Sequence, residues 1–419
     1  MSKSLKSGYS NGKKLKSDSL IIETKLGLLS NNNASSIYVY GHATKNNFYG
    51  YLYSRVVSDP NAFPRYTGKS RDISRFGFNS GETDISGIGY TDDWLLLQIG
   101  RGRQNWSAGE GIDLMLSENS PAYDYGLFGL NFRNINGRFF HGYLETDSLT
   151  NRYITGRGVE WTNHKNIILS LSEVVIYSGV NRPIDFAYLN PLSTHLEIEL
   201  NDRQNKIGTD SGNGAWQFSM DLMANERIRL SGNFLIDEYV LDDIQLDSGK
   251  VNGIGWSTRA SLANKKIEKY IYLIYGSYSY VGTHTFRHEE GYNNFVQRSK
   301  PLGWQLGSDG QEIKIGLKYF NKNDLICNLE IIRNETGSNS IINNPYKPYD
   351  NYKGRPFPSG TVIRSLSLIG GFQWWWKPNI SVSSDAQLKK INDNDFTIDL
   401  SIGIDFYISN YLRFSTNID

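Results

Sequence analysis

The stretch GRGRQNWSAGEGIDLMLSENSPAYDYGLFGLNFR, Gly100 to Arg133, is the densest mixture of polar, aromatic and glycine residues in the chain. Its residue types suit recognition of a sugar. The guanidinium forks of Arg101 and Arg103 match the carboxylates of acidic sugars, Glu118 and Asn119 can bridge hydroxyls, and Trp106 and Tyr123 offer ring faces for a pyranose. The plainer alternative is a strand, a lumenal loop and a second strand, with both arginines merely solvated or paired. Other candidate chemistry is weaker. The adjacent carboxylates Asp242/Asp243 and Glu289/Glu290 would point to opposite faces of a strand, so neither pair can flank one glycosidic bond. His284 and His288 share a side at i, i+4, but Glu290 is the only other nearby ligand, and no metal site is expected. No nucleophile elbow, phosphate-binding loop, dinucleotide glycine motif or Cys-x-x-Cys is present. The common nucleotide, redox and hydrolase signatures are therefore absent and no cofactor or metal is expected, while a soluble β-sandwich or glycan-processing enzyme stays open as a third reading.

The elements that must carry these residues alternate at period two. In FTIDLSIGIDFYI, Phe396, Ile398, Leu400, Ile402, Ile404, Phe406 and Ile408 alternate with Thr397, Asp399, Ser401, Gly403, Asp405 and Tyr407. EIKIGLKYF (312–320), IRLSGNFLID (228–237) and WQFSMDLM (216–223) repeat the pattern, and clusters of Asn, Asp, Gly and Ser separate them. A soluble sandwich would turn the apolar face to a core, whereas a membrane barrel would turn it to lipid and keep the polar face in a wet lumen. Strand length favours the barrel, because a strand needs about 9 to 11 residues to cross a bilayer and globular strands run about 5 or 6. Aromatic residues near strand ends, such as Trp374 to Trp376 before Lys377-Pro378 and FYGYLY at Phe48 to Tyr53, fit interfacial girdles. At roughly 23 residues per strand and connection, 419 residues give an all-β, antiparallel transmembrane barrel of about 18 strands.

The charge balance limits the partners. Lys plus Arg at 44 against Asp plus Glu at 43 leaves +1, without the basic field that a nucleic-acid backbone requires. The single cysteine, Cys327, cannot form an internal disulfide. Residues 1–20 are rich in Ser, Lys, Gly and Asn and lack the apolar run of a secretion signal. They read as a flexible leader before a barrel spanning 21–419.

Four segments, in order, resemble the capsule assembly proteins of the Wzi type, outer-membrane β-barrels of Gram-negative bacteria. They are IGRGRQNWSAGEG with LMLSENSPAYDYGL; RYITGRGVEWTNHKNIILSLSEVVIYSG with FAYLNPLSTHLEIEL; GNFLIDEYVLDD; and KPLGWQLGSDGQEIKIGL, with its Pro301, Leu302 and Gly303. The resemblance implies location in the bacterial outer membrane and a lectin-like, non-catalytic role in anchoring or organising capsular or other surface polysaccharide. It adds Glu173, Tyr188 and Asn190 as a second glycan patch beside Arg101, Arg103, Trp106, Glu118, Asn119 and Tyr123. The expected partners are polysaccharide and outer-membrane lipid, with the protein a monomer. The competing reading is a porin-like channel for small solutes, its lumen lined by Lys314, Lys318, Asp399 and Asp405.

Overall fold

The computed structural model describes residues 19–63, 65–146, 149–205, 212–240, 243–264, 270–321 and 324–413. Most of the expected leader, residues 1–18, lies outside them. Eighteen strands pair antiparallel in chain order, and the first, Ser19–Asn31, pairs along its length with the last, Thr397–Arg413, from Ser19↔Arg413 to Asn31↔Ser401. The sheet is thereby a closed barrel with no free edge. No helix among the described residues is long and apolar enough to cross a membrane.

The alternating residues settle which way the wall faces. Ile398, Leu400, Ile402, Ile404, Phe406 and Ile408 are all solvent-exposed on the outside, whereas Asp405 between them is buried in the lumen. Ile88, Ile99, Ile315 and Ile331 continue the outer apolar belt on other strands. Apolar side chains outside and polar ones inside is the arrangement of a barrel solvated by lipid.

The two rims differ. At one, strands join through short turns such as 46–47, 92–94, 133–134 and 163–166, and both ends of the barrel lie there. Side chains shape these turns. Asp92 Oδ1 accepts from the backbone N–H of Trp94 and Leu95 (2.9 and 2.7 Å), and Asn163 and Asn225 do the same for the residues that follow them. Exposed Phe48, Trp94, Phe132, Trp161, Trp374 and Trp376 ring this rim as an aromatic girdle. Trp375, of opposite parity, is not part of it. The other rim carries the long connections 58–79, 103–122, 181–212, 282–309 and 337–362. Long loops on one side and short turns on the other are the extracellular and periplasmic rims of an outer-membrane barrel.

Candidate functional site

The long loops do not simply stand over the barrel. Three of them fold inward and build a hydrophobic core inside the lumen. Leu114, Met115 and Leu116 of loop 103–122 pack with Phe286, Phe295, Leu302 and Trp304 of loop 282–309, with Ile341 of loop 337–362, and with the inner faces of Tyr123, Phe140, Ile154, Val174 and Leu235. Burying this apolar surface drives the loops in, but their backbone polar groups must still find partners. The lumen wall supplies them. Asn233 accepts from the Ala108 N–H (2.8 Å) and donates to the Ala108 and Ile112 carbonyls (3.0 and 3.1 Å), while Gln217 accepts from the Met115 N–H (3.1 Å). The loops also pair with each other, Trp304 N–H donating to Leu114 O and Ser117 N–H to Leu302 O. A Cβ at Gly303 would lie 1.7 Å from Leu114 O, so this crossing requires glycine.

Two side chains anchor the plug. Arg152, fully buried, donates to Glu145 (3.0 Å) and to the carbonyls of Tyr292 and Asn294 (2.6 and 2.9 Å), and lies over the Tyr346 ring. Asp113 is also buried, accepting from Asn105 (3.0 Å) and Ser117 (3.2 Å). Burial outweighs these hydrogen bonds and pushes its carboxyl up to about 6. A carboxyl raised by folding takes its proton first in the folded state. The loop therefore gains stability as pH falls from about 6 toward the ordinary carboxylate value, and loses it as pH rises through about 6. Hydrogen exchange of residues 103–122 should slow below pH 6, and Asp113→Asn should flatten that dependence; equal slopes in both proteins would exclude Asp113 as its source.

The residues singled out in the sequence occupy three settings. Arg103 is not solvated: its guanidinium grips buried Asp84 through two hydrogen bonds (3.0 and 2.5 Å), and its Nε donates to Ser120 O, closing the mouth of loop 103–122. Arg101 has the parity of lipid-side Ile99 and pairs with Asp124 at 3.2 Å. The two arginines thus face opposite sides of the wall. Trp106 packs edge-on to Phe140 with centroids 5.2 Å apart, and buried Tyr123 lies beside the same ring. Asn119 is half-buried, its N–H donating to Ser117 Oγ (3.1 Å), whereas Glu118 is exposed.

Glu173, Tyr188 and Asn190 do come together, as the seat of loop 181–212. Buried Glu173 lies 3.2 Å from Arg157 and 2.6 Å from His195 Nδ1. Arg157 in turn donates to Asn190 O (3.2 Å). Tyr188 stacks on Tyr177 at 4.4 Å and donates to Glu199 (3.0 Å). Among the described residues no group of His, Cys, Asp and Glu could hold a metal ion, and buried His284 is bonded to Tyr349 (2.9 Å).

Sequence reasoning missed the exposed cations of the mouth. Arg298 and Ser299 both adopt positive φ (49° and 60°), forming a two-residue turn between Val296–Gln297 and Lys300–Pro301. This turn lies against loop 58–79, with Arg298 donating to Thr67 O (2.7 Å) and Lys300 to Tyr66 O (3.3 Å). Arg65, Lys69, Arg71, Arg75, Arg298 and Lys300 are exposed here, and none forms a salt bridge among the described residues. Three nearby acids are already engaged: Glu82 holds Arg55 and Thr67, Asp84 holds Arg103, and Glu145 holds Arg152, whereas Asp72 and Glu118 stand exposed beside the cations. The local sequence signal was modest, KSRDISR in one loop and RSK in another.

No protein-family model and no curated protein matches the chain. Among solved structures, Wzi of Escherichia coli, an outer membrane protein involved in group 1 capsule assembly and a carbohydrate-binding β-barrel, superposes with a TM-score of 0.65 at 12% identity, over 96% of this chain and 85% of that one. OprD of Pseudomonas aeruginosa gives a TM-score of 0.48 at 9% identity, over 93% and 95% of the two chains. OccK3 (OpdO) of the same organism gives 0.49 at 7%, also over 93% and 95%. The fold expected from the resemblance is borne out: the chain is an 18-stranded antiparallel β-barrel of the bacterial outer-membrane type, sharing its architecture with Wzi.

Proposed function

We propose that this barrel holds acidic polysaccharide at the cell surface through its extracellular mouth, as a non-catalytic monomer. The observation that carries the reading is the set of six exposed, unbridged cations on loops 58–79 and 282–309. None of the six is neutralised by a salt bridge among the described residues, which leaves them able to meet carboxylates presented by a polymer. That Wzi, with the same fold, is a carbohydrate-binding barrel supports the choice of ligand class. Glu118 and Asn119, at the same mouth, remain candidates for hydroxyl contacts. Arg101, Arg103, Trp106, Tyr123, Glu173, Tyr188 and Asn190 would then act by shaping and seating the loops. Contacts that are individually weak add along a chain by multivalency.

The triple variant Lys69→Gln, Arg71→Gln, Lys300→Gln should release cell-attached acidic polysaccharide into the medium. Because the three side chains are exposed, it should leave the heat-resistant folded band on a gel unchanged. Raising the salt concentration should mimic the variant, since exposed charges are screened. Full attachment in the triple variant, at equal surface expression, would sink the proposal.

A further inference from the structure

The plug's apolar contacts fall on one side of the lumen wall. They come from seven of the nine barrel strands between Tyr123 and Asn321. In the nine that complete the circle, Ser19 to Gly102 and Leu325 to Arg413, Val57 is the only buried apolar strand residue among the described residues. On this bare half Tyr38, Tyr40, Tyr49, Tyr51, Tyr53 and Tyr407 point inward, since their strand neighbours Ile37, Val39, Phe48, Leu52 and Phe406 are exposed to the outside.

Three of these rings lie flat on the wall. Each faces a glycine in register on the next strand: Tyr38↔Gly27, Tyr49↔Gly89 and Tyr51↔Gly87. A Cβ on Gly27 would fall 2.1 Å from the Tyr38 ring, one on Gly89 2.4 Å from the Tyr49 ring, and one on Gly87 2.7 Å from the Tyr51 hydroxyl. Only glycine lets a ring lie down there, with one face on the wall and the other toward the lumen. Tyr49 and Tyr51 sit side by side, their centroids 6.3 Å apart and their planes 15° from parallel. The phenol oxygens are fixed as well. Tyr49 donates to Gln98 (2.7 Å), and Gln98 donates to Tyr51 (2.9 Å) and Tyr125 (2.6 Å). Lys25 lies 5.5 Å from both the Tyr38 and Tyr407 rings and pairs with Asp405 (2.8 Å), which also accepts from Tyr38.

We propose that this tyrosine-faced half of the lumen is a second binding site, a track for neutral oligosaccharide. Flat, preorganised rings match the C–H faces of pyranoses, and the fixed hydroxyls and amide at the ring edges match sugar hydroxyls. Lys25 is neutralised by Asp405, so the cation beside these rings is not free for an acidic ligand. The track is thereby distinct in chemistry from the cationic mouth and does not depend on it.

The full chain in detergent micelles would be titrated with maltohexaose and with cellohexaose, two neutral glucans of different linkage, and followed by saturation-transfer NMR. At least one should bind saturably. The pair Tyr49→Leu, Tyr51→Leu keeps apolar cover over the wall glycines but removes the flat faces, and should weaken binding about tenfold. The pair Tyr49→Phe, Tyr51→Phe should retain most of the affinity, and the triple variant of the mouth should bind like the wild type. Absence of saturable binding by both glucans, wild-type affinity in the leucine pair, or loss in the mouth variant would each overturn the track. Folding of every variant would be checked by heat-modifiability, and retention of acidic polysaccharide reports on the mouth separately.

Discussion

Arg152→Ala is expected to undock the plug. The side chain is fully buried and spends its donors on Glu145 and on the carbonyls of Tyr292 and Asn294. Removing it leaves those two carbonyls without this donor and takes the buried counter-charge from Glu145, which also accepts from Tyr346 and the Arg298 N–H. Breaking a buried pair by deleting one partner costs about 3–5 kcal/mol. The loss should fall on the loops and not on the strands, because the strand ladder does not depend on this side chain. Hydrogen exchange in 282–309 and 337–362 should rise steeply while the strand amides stay protected, and Arg152→Lys should be intermediate. Unchanged loop protection in Arg152→Ala would show that the apolar core alone holds the plug.

The second large effect lies on the outer face. Ile402 is 60% exposed near the middle of the apolar run Ile398–Ile408, where an arginine meets hydrocarbon and costs about 2–4 kcal/mol. Ser401, one residue earlier, points into the lumen and should accept arginine at little cost. Reversible unfolding in lipid vesicles would measure both. If Ser401→Arg were the more damaging change, the assignment of inside and outside would be wrong.

What the sequence revealed follows from how locally each feature is encoded. The wall was legible because a strand's two faces are written at period two in consecutive residues, so Ile398 to Ile408 predicted their own exposure. The turns were legible where Asp92, Asn163 or Asn225 bonds the backbone just ahead of it. The plug was not. Nothing near Leu114-Met115-Leu116 says whether that apolar triplet lies on a surface or in a lumen, because its partners Trp304 and Ile341 come from other loops. Arg103 was read as a solvated sugar contact because its partner, Asp84, stands 19 residues away on another strand. The cationic mouth was hidden for the same reason, since Arg298 and Thr67 are separated by 231 positions. The tyrosine-glycine pairs needed the strand register, which alternation alone does not specify.

The one-sided plug also bears on how the ring can open. The pairing of Ser19–Asn31 with Thr397–Arg413, the seam that makes a linear chain into a cylinder, lies in the half of the wall that carries no plug. Every residue of the lumenal core falls between Trp106 and Tyr346, so its contacts belong to a continuous middle stretch of the chain. The seam can therefore part sideways without breaking a contact of that core. Lateral unzipping and plug release are thus separate events with separate barriers, and a strand-seam defect would leave a protein that opens at its side while its plug stays docked.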